Sequence, residues 1–241
     1  MISAIRQRLR KYLANRLRVP SIESSLERLA RFGYEPAGVY DVGAYKGEFT
    51  ETVLSIWPTT RVTCFEPQIT RIRDLERLVN SNPGIVTFES CLLGAEVRDA
   101  VPFHLHETAS SVLAYSAGVQ YDTTELAMTT IDEYRSRKGS LPCSLLKLDV
   151  QGYELDVLKG AEHTICNETE LILAEVNFLD LYADVPLLDK TLSWLAERDF
   201  LAYDISSLIR RPLDDALWQA DFIFTRAESI FRRNKQTGYP E

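Results

Sequence analysis

Three short runs of this chain carry acidic residues, two of them with glycines, in a way that can hold a small polar ligand. The first is Asp41-Val42-Gly43-Ala44-Tyr45-Lys46-Gly47, the second Phe65-Glu66-Pro67, and the third Lys147-Leu148-Asp149-Val150-Gln151-Gly152-Tyr153-Glu154. Each follows an apolar stretch of strand length. In an open α/β sheet, ligands bind beyond the carboxyl ends of the strands, where the strand order reverses. Acids at three strand ends, with glycines at two of them, therefore have places in one crevice. The glycine spacing of the first run is GxxxG. Tyr45 stands where a dinucleotide fingerprint has its second glycine, the one that lets backbone approach a pyrophosphate. That disfavours a nicotinamide or flavin and leaves a ligand with no pyrophosphate.

S-adenosylmethionine is such a ligand. Asp41 at the strand end can pair with its ammonium, and the Gly43–Gly47 turn can lie along its methionine chain. Glu66, 25 residues after Asp41, can accept hydrogen bonds from both ribose hydroxyls, as the acid of the dinucleotide folds does at a similar offset. A glycine turn or an acid at a strand end is common by itself. The argument rests on their order along the chain.

Methyl transfer from a sulfonium is an in-line displacement with a neutral leaving group. The acceptor atom must sit ~3–3.5 Å from the methyl carbon, and an alcohol also needs a base within hydrogen-bond reach. Asp149 is the first candidate for that base; its plainer role is a helix N-cap. Glu175 ends the neighbouring predicted strand, with Asn177 two residues on along the same side. Asp149 and Glu175 can share a proton, bind sugar hydroxyls, or hold Mg²⁺ through oxygen ligands, although two or three oxygen groups do not define a metal site. Lys147 can orient Asp149 or an acceptor, or serve a structural ion pair. His104 and His106 share one face and are either a base and acceptor contact or surface residues. His163 is expected near a helix C-terminus, where its charge is favourable.

The positioning elements follow from periodicity. A helix over Ser21–Arg31 is capped by Ser21, with Ile22, Leu26, Leu29 and Ala30 on one face. Strands are expected at residues 39–42, 61–65, 85–88, 145–148, 171–176, 200–205 and 220–224. Helices are expected over 48–56, 70–81, 154–166 and 186–198. Strand and helix alternating in this way predict an α/β domain with a mostly parallel sheet covered on both faces. Val97–Tyr134 breaks the alternation and reads as an antiparallel or irregular insertion.

Composition bounds the function. The chain has 241 residues at 27.4 kDa, 45% hydrophobic and 26% charged, ordinary for a chain that buries a core. No apolar run reaches the ~20 residues of a spanning helix. Arg6, Arg8, Arg10 and Lys11 interrupt any signal-peptide core. The cysteines Cys64, Cys91, Cys143 and Cys166 form no CxxC pair, and free thiols suit a reducing, cytoplasmic compartment. The net charge is −8, yet residues 1–18 carry six basic side chains and no acid. The acidic remainder argues against nucleic acid as a partner. Ile2, Ile5, Leu9, Leu13 and Leu17 put an apolar stripe on the basic segment. It reads as an amphipathic helix on the inner face of a membrane or on a partner, or as a lid or dimer helix packed on the body.

In order and spacing, Asp41-Val42-Gly43-Ala44, Phe65-Glu66-Pro67 and above all the KLDVQGYE run closely resemble the FkbM family of S-adenosylmethionine-dependent methyltransferases. Ser110-Ser111-Val112-Leu113, Thr129-Thr130-Ile131-Asp132-Glu133 and Ala220-Asp221-Phe222 match its weaker landmarks. The resemblance spans about Val39 to Phe224. It implies a Rossmann-like class I methyltransferase fold, seven strands with the last antiparallel, and O-methylation of a hydroxyl, often on a saccharide or polyketide-like acceptor. By resemblance, Asp41, Gly43, Ala44, Tyr45 and Gly47 match the cofactor loop, Glu66 and Pro67 the ribose acid and its neighbour, Ser90 a position near the adenine, and Asp149 the methyl-transfer site. Tyr45 departs from the family's usual Asn, and Gln151 from the acid of its DVEG form. The expected organisation is a helical extension over 1–36, the methyltransferase domain over 37–226 and a tail over 227–241. The expected reaction is O-methylation of a small molecule, a saccharide or a glycan or glycolipid. N-methylation of an amine or amino sugar, and a non-catalytic binding module, are the competing readings.

Overall fold

The computed structural model of the chain describes residues 19–116, 121–138, 141–233 and 235. The basic stretch 1–18, and with it the expected surface helix and its membrane or partner contact, lies outside the described residues. The elements in chain order are α1 (Ile22–Arg31), β1 (Val39–Val42), α2 (Glu48–Ile56), β2 (Val62–Phe65), α3 (Ile72–Ser81), β3 (Val86–Glu89), β4 (Leu92–Leu93), β5 (Arg98–Leu105) and β6 (Asp122–Thr129). Then come α4 (Ile131–Lys138), β7 (Leu145–Leu148), α5 (Glu154–Lys159), α6 (Glu162–Asn167), β8 (Leu171–Asn177), α7 (Leu188–Ala196), β9 (Phe200–Arg210), β10 (Leu217–Arg226) and α8 (Ile230–Arg233).

Seven strands form one sheet in the order β3-β2-β1-β7-β8-β10-β9. All neighbours pair in parallel except β10, which runs antiparallel to both β8 and β9. The fold is Rossmann-like α/β with helices on both faces. β1, β2 and β7 are buried at every position, because helices cover both faces of a parallel sheet and its strands become continuous apolar runs. Alternation sorts the side chains between two cores. Tyr40, Val42, Leu146 and Leu148 pack with α5 and α6 on one face. Val39, Leu145, Leu171 and Leu173 pack with α1, α2 and α3 on the other. The order reverses between β1 and β7, since β1 leads outward to β2 and β3 on one side and the later strands build on the other. The ligand crevice belongs there.

The insertion after β3 is a second, three-stranded sheet in the order β4-β6-β5, with β5 and β6 antiparallel. It ends earlier than expected, because Ile131 begins α4, with the Thr130 hydroxyl accepting the Glu133 N–H at 3.0 Å. The expected helix over 154–166 is two helices. A Cβ on Gly160 would lie 1.9 Å from the Gly94 carbonyl oxygen, so the chain turns there against β4. Asp132 then caps α6, accepting from the N–H groups of His163 and Thr164 at 2.9 Å each. His163 therefore opens a helix rather than closing one, which corrects the expected dipole role.

Both flanks pack into the domain. Ser21 caps α1 by accepting the Ser24 N–H at 3.1 Å, and Leu26 and Leu29 join the core of Val39, Val53 and Ile223. After β10, the Phe231 ring of α8 lies 5.8 Å from Tyr34 and 5.6 Å from Tyr203. Among the described residues no helix is long and apolar enough to cross a membrane.

Candidate active site

The loop after β1 is shaped by left-handed backbone. Gly43 has φ 73°, and a Cβ there would stand 1.9 Å from the Asp149 carbonyl oxygen. Only glycine lets the β1 and β7 loops touch backbone to backbone. The Gly43 and Ala44 N–H groups both donate to the Phe65 carbonyl, so the ends of β1, β2 and β7 are tied together. Tyr45, at φ 49°, aims its N–H at Glu66 Oε2 at 2.9 Å, while the Gln68 N–H donates to Oε1 at 2.9 Å. Burial raises the Glu66 pKa above the usual carboxylate value; the two N–H groups and Lys147 oppose that. The carboxylate stays aimed by backbone, with lone pairs left for a ligand.

These loops bound a cavity of about 440 Å³, within the range of small-molecule sites. Its wall includes Gly43, Ala44, Tyr45, Glu66 and Pro67 from the first two motifs, Lys147, Asp149 and Gln151 from the third, and Phe103, Ser110 and Val112 from the insertion. A latch joins the insertion to the β1 loop. The Tyr45 hydroxyl donates to Glu107 Oε2 at 3.2 Å, Arg71 pairs with the same carboxylate, and the Arg71 guanidinium lies 4.3 Å from the Tyr45 ring centroid. An Asn at position 45 has no ring to stack and does not reach Glu107.

Asp41 does not reach the cavity. Its carboxylate is fully buried, taking the Thr50 hydroxyl at 2.8 Å on Oδ2 and the Lys147 ammonium at 3.1 Å on Oδ1. The cause is register: Asp41 on β1 pairs laterally with Lys147 on β7, so both side chains leave the sheet on the same face. The expected contact of Asp41 with a ligand ammonium is therefore corrected, and Lys147 is the residue that faces the cavity. Its ammonium also donates to the Gly43 carbonyl at 2.9 Å and lies 3.8 Å from Asp149 Oδ2. Burial pulls the Lys147 pKa down, but Asp41 and Asp149 outweigh it, and the net direction is up. Lys147 is a fixed cation.

Asp149 lines the cavity with its side chain 42% exposed. Gln151, at φ 54°, turns its amide so that Nε2 donates to Asp149 Oδ1 at 2.8 Å and approaches Glu175 Oε1 at 3.4 Å. Its Oε1 accepts the Tyr182 hydroxyl at 3.0 Å. The amide thus bridges two carboxylates where an acid would have added a third. Glu175 is buried behind it and also accepts from Gln219 Nε2 at 2.7 Å, which spans to Asn177 Oδ1 at 3.2 Å. Glu175 lies beside Asp149, on the far side of the Gln151 amide, and is not on the cavity wall. Of the readings for this pair, a directly shared proton does not occur here, because the Gln151 N–H lies between the two carboxylates. Among the described residues no group of three or more His, Cys, Asp or Glu is placed to hold a metal.

Ser90 is exposed and off the wall, whereas Cys91, Leu92 and Leu93 line it. β3 runs from Val86 to Glu89, one residue later than its apolar run suggested. His104 and His106 share one side of the insertion but neither lines the cavity; the His104 ring nitrogen meets the Thr123 hydroxyl at 3.0 Å. Glu154, quoted in the third motif without a role, is buried and accepts the N–H groups of Val150 at 2.8 Å and Gly152 at 3.2 Å. It fixes the turn that presents Asp149 and Gln151.

Glu154 and Glu175 give the fold a pH dependence of definite sign. Burial pushes Glu154 up to about 7, and burial with the charges of Asp149 and Glu154 raises Glu175 well above its usual value. Each acid binds its proton more tightly folded than unfolded. Its stabilising contribution is complete below the unfolded carboxylate pKa, about 4.3, and declines as pH rises through the folded value. Melting temperature should fall from about pH 5 to about pH 8, and Glu175→Gln should flatten that slope. An unchanged slope in differential scanning calorimetry of the variant would mean that Glu175 is ordinarily ionised in the folded chain.

The sequence profile of the methyltransferase FkbM domain matches residues 41–202. Among solved structures, the chain is similar to a methyltransferase FkbM from Methylobacillus flagellatus, at 18% identity and a TM-score of 0.51; the alignment covers 79% of this chain and 45% of that one. It is also similar to a 1,6-didemethyltoxoflavin N1-methyltransferase from Burkholderia thailandensis, solved with its substrate and S-adenosylhomocysteine, at 15% identity and a TM-score of 0.49, over 86% of this chain and 77% of that one. No curated protein matches the chain. The chain spans less than half the length of the Methylobacillus protein, and that likeness is one of fold. The profile match covers well over half of the chain, and on it the chain belongs to the methyltransferase FkbM domain family, whose members are S-adenosylmethionine-dependent enzymes.

Proposed function

We propose that the chain methylates a hydroxyl of a small molecule, a saccharide or a glycan or glycolipid, with Asp149 as the base. The observation that carries this reading is the half-exposed Asp149 carboxylate on the wall of a cavity that the buried Glu66 also lines. S-adenosylmethionine supplies an electrophilic methyl group on a sulfonium that departs as a neutral thioether. Glu66 accepts the ribose hydroxyls, and Gly43, Ala44 and Tyr45 offer backbone along the ligand. With Asp41 sealed and Asp149 assigned to the acceptor, Glu48 is the wall carboxylate left to face an ammonium. Cys91, Leu92 and Leu93 take the adenine-side place expected of Ser90. Pro67 closes that side beside Glu66.

At Asp149, one oxygen is occupied by the Gln151 N–H and the other faces Lys147 at 3.8 Å. The oxygen that faces Lys147 is the one left to take a proton from an alcohol. The amine reading needs less of such a base, because the nitrogen lone pair attacks directly and its proton can leave afterwards.

Calorimetric titration with S-adenosylmethionine, S-adenosylhomocysteine and NAD tests the cofactor assignment. The first two should bind and NAD should not. Glu66→Ala should weaken both by about 1–3 kcal/mol, roughly 5- to 150-fold in Kd; unchanged affinity refutes the ribose role. Labelled-methyl transfer to a panel of sugars and amino sugars then reads the acceptor, with NMR of the product reporting whether oxygen or nitrogen carries the methyl.

A further inference from the structure

A wall of rings stands outside the cavity, beyond Gln151. The insertion segment Ala114–Ser116 is zipped to the loop after β8: Ser116 N–H donates to Leu181 O and Ala183 N–H to Ala114 O, each at 2.8 Å, with Tyr115 and Tyr182 bridged between them. Tyr182 is 1% exposed. Its hydroxyl donates to Gln151 Oε1 and meets the Tyr115 hydroxyl at 3.2 Å. Tyr115 lies 4.6 Å from Tyr182, 5.6 Å from His106 and 6.5 Å from Tyr121, and Tyr121 lies 4.5 Å from His104, centroid to centroid. Tyr115, Tyr121 and His104 are half-buried and His106 is exposed. The buried ring is thus the anchor of a rigid patch whose outer rings face solvent. Two hydrogen bonds, through Gln151, connect that anchor to Asp149.

We propose that Tyr115, Tyr121, His104 and His106 form the platform that binds the acceptor, and that it takes a pyranose ring. The inference rests on the saccharide reading above and assigns the residues that recognise it. Its first support is geometry: the four ring pairs are tilted by 44°, 43°, 50° and 56°. A chair-shaped ring presents C–H bonds in several directions and can lie against several tilted faces at once. The second support is polarity. The rings carry hydroxyl and imidazole edges, and Thr123 adds a hydroxyl beside His104, so donors and acceptors surround apolar faces as a polyol requires. The third is position. Tyr115 is joined to Asp149 by three linked hydrogen bonds, through Tyr182 and Gln151.

Saturation-transfer NMR on the protein loaded with S-adenosylhomocysteine tests this, with methyl α-D-glucopyranoside, methyl α-D-mannopyranoside and methyl α-L-rhamnopyranoside as probes and catechol as the flat control. At least one pyranoside should show transfer into its ring protons. That transfer should drop roughly fivefold or more in Tyr115→Ala/Tyr121→Ala, and measurably in the exposed-site variant His106→Ala, which guards against misfolding of the double variant. S-adenosylhomocysteine affinity should stay within about twofold in all three proteins. Undiminished pyranoside transfer in variants that still bind S-adenosylhomocysteine overturns the platform and leaves the saccharide reading standing. Transfer to catechol alone, lost in the variants, overturns the pyranose assignment. Absence of transfer from every probe overturns the platform as well, and labelled-methyl transfer to sugars then decides the saccharide reading independently.

Discussion

Asp149→Asn should lower methyl transfer to an alcohol by ~10²-fold or more, the usual range for loss of a positioned base, while S-adenosylmethionine binding stays near normal. The substitution is close to isosteric, and the amide oxygen can still accept the Gln151 N–H that Asp149 Oδ1 takes at 2.8 Å. The turn itself is held by Glu154, through the N–H groups of Val150 and Gly152, and by the Asp149 backbone N–H on Val42 O. None of these bonds involves the Asp149 carboxylate, so the fold around the site does not depend on it. What the amide lacks is a basic oxygen. Initial rates with labelled cofactor, at saturating and limiting acceptor, separate a fall in kcat from a rise in KM. A loss confined to kcat fits the base role. A loss confined to KM means that Asp149 only grips the acceptor. Turnover equal to that of the unaltered protein removes Asp149 from the chemistry and favours an amine acceptor.

The sequence made part of this site legible because part of it is local. Gly43, Glu66 and Asp149 sit at strand ends, and strand ends are marked by apolar runs that stop. Their convergence follows from the parallel order alone. The Asp41–Lys147 pair was not legible, because it depends on which residue of β7 lies opposite Asp41, and both strands are apolar on both faces with no alternation to fix the register. Ser90, matched by resemblance alone, lies outside the wall that Cys91, Leu92 and Leu93 line. The break between α5 and α6 turns on Gly160 meeting Gly94 across the fold, a contact between elements that neither segment announces. β9 and β10 run well past their expected limits. β9 lies at the sheet edge, exposes Leu201, Ile205, Leu208 and Ile209, and pairs with register shifts, so its pattern is neither continuous nor cleanly alternating. The ring wall gave only its histidines away. Tyr115 and Tyr182 come together through a loop-to-loop bridge that has no sequence signature.

Lys147→Met should be the most destabilising single change at the site. It leaves the fully buried Asp41 carboxylate with the Thr50 hydroxyl as its remaining polar partner, and removes the ammonium that also ties down the Gly43 carbonyl. Deleting one member of a buried ion pair costs about 3–5 kcal/mol, since the other is left as an uncompensated charge. For a domain of this size that corresponds to a fall of roughly 6–20 °C in melting temperature. The pair itself is a different matter, because the desolvation of both ions offsets most of their attraction. Asp41→Asn/Lys147→Met replaces both charges by neutral groups of similar shape, and the Asn side chain can still accept from Thr50. The double variant should therefore recover most of the stability lost in Lys147→Met. It should not recover turnover, because Asp149 has then lost the cation 3.8 Å away and the β1 loop has lost its tie to β7. Melting curves and methyl-transfer rates on the two proteins give the answer. Recovery of both quantities would reduce Lys147 to a structural counter-ion for Asp41. Recovery of neither would mean that its bond to Gly43, rather than its charge on Asp41, holds the loops in place.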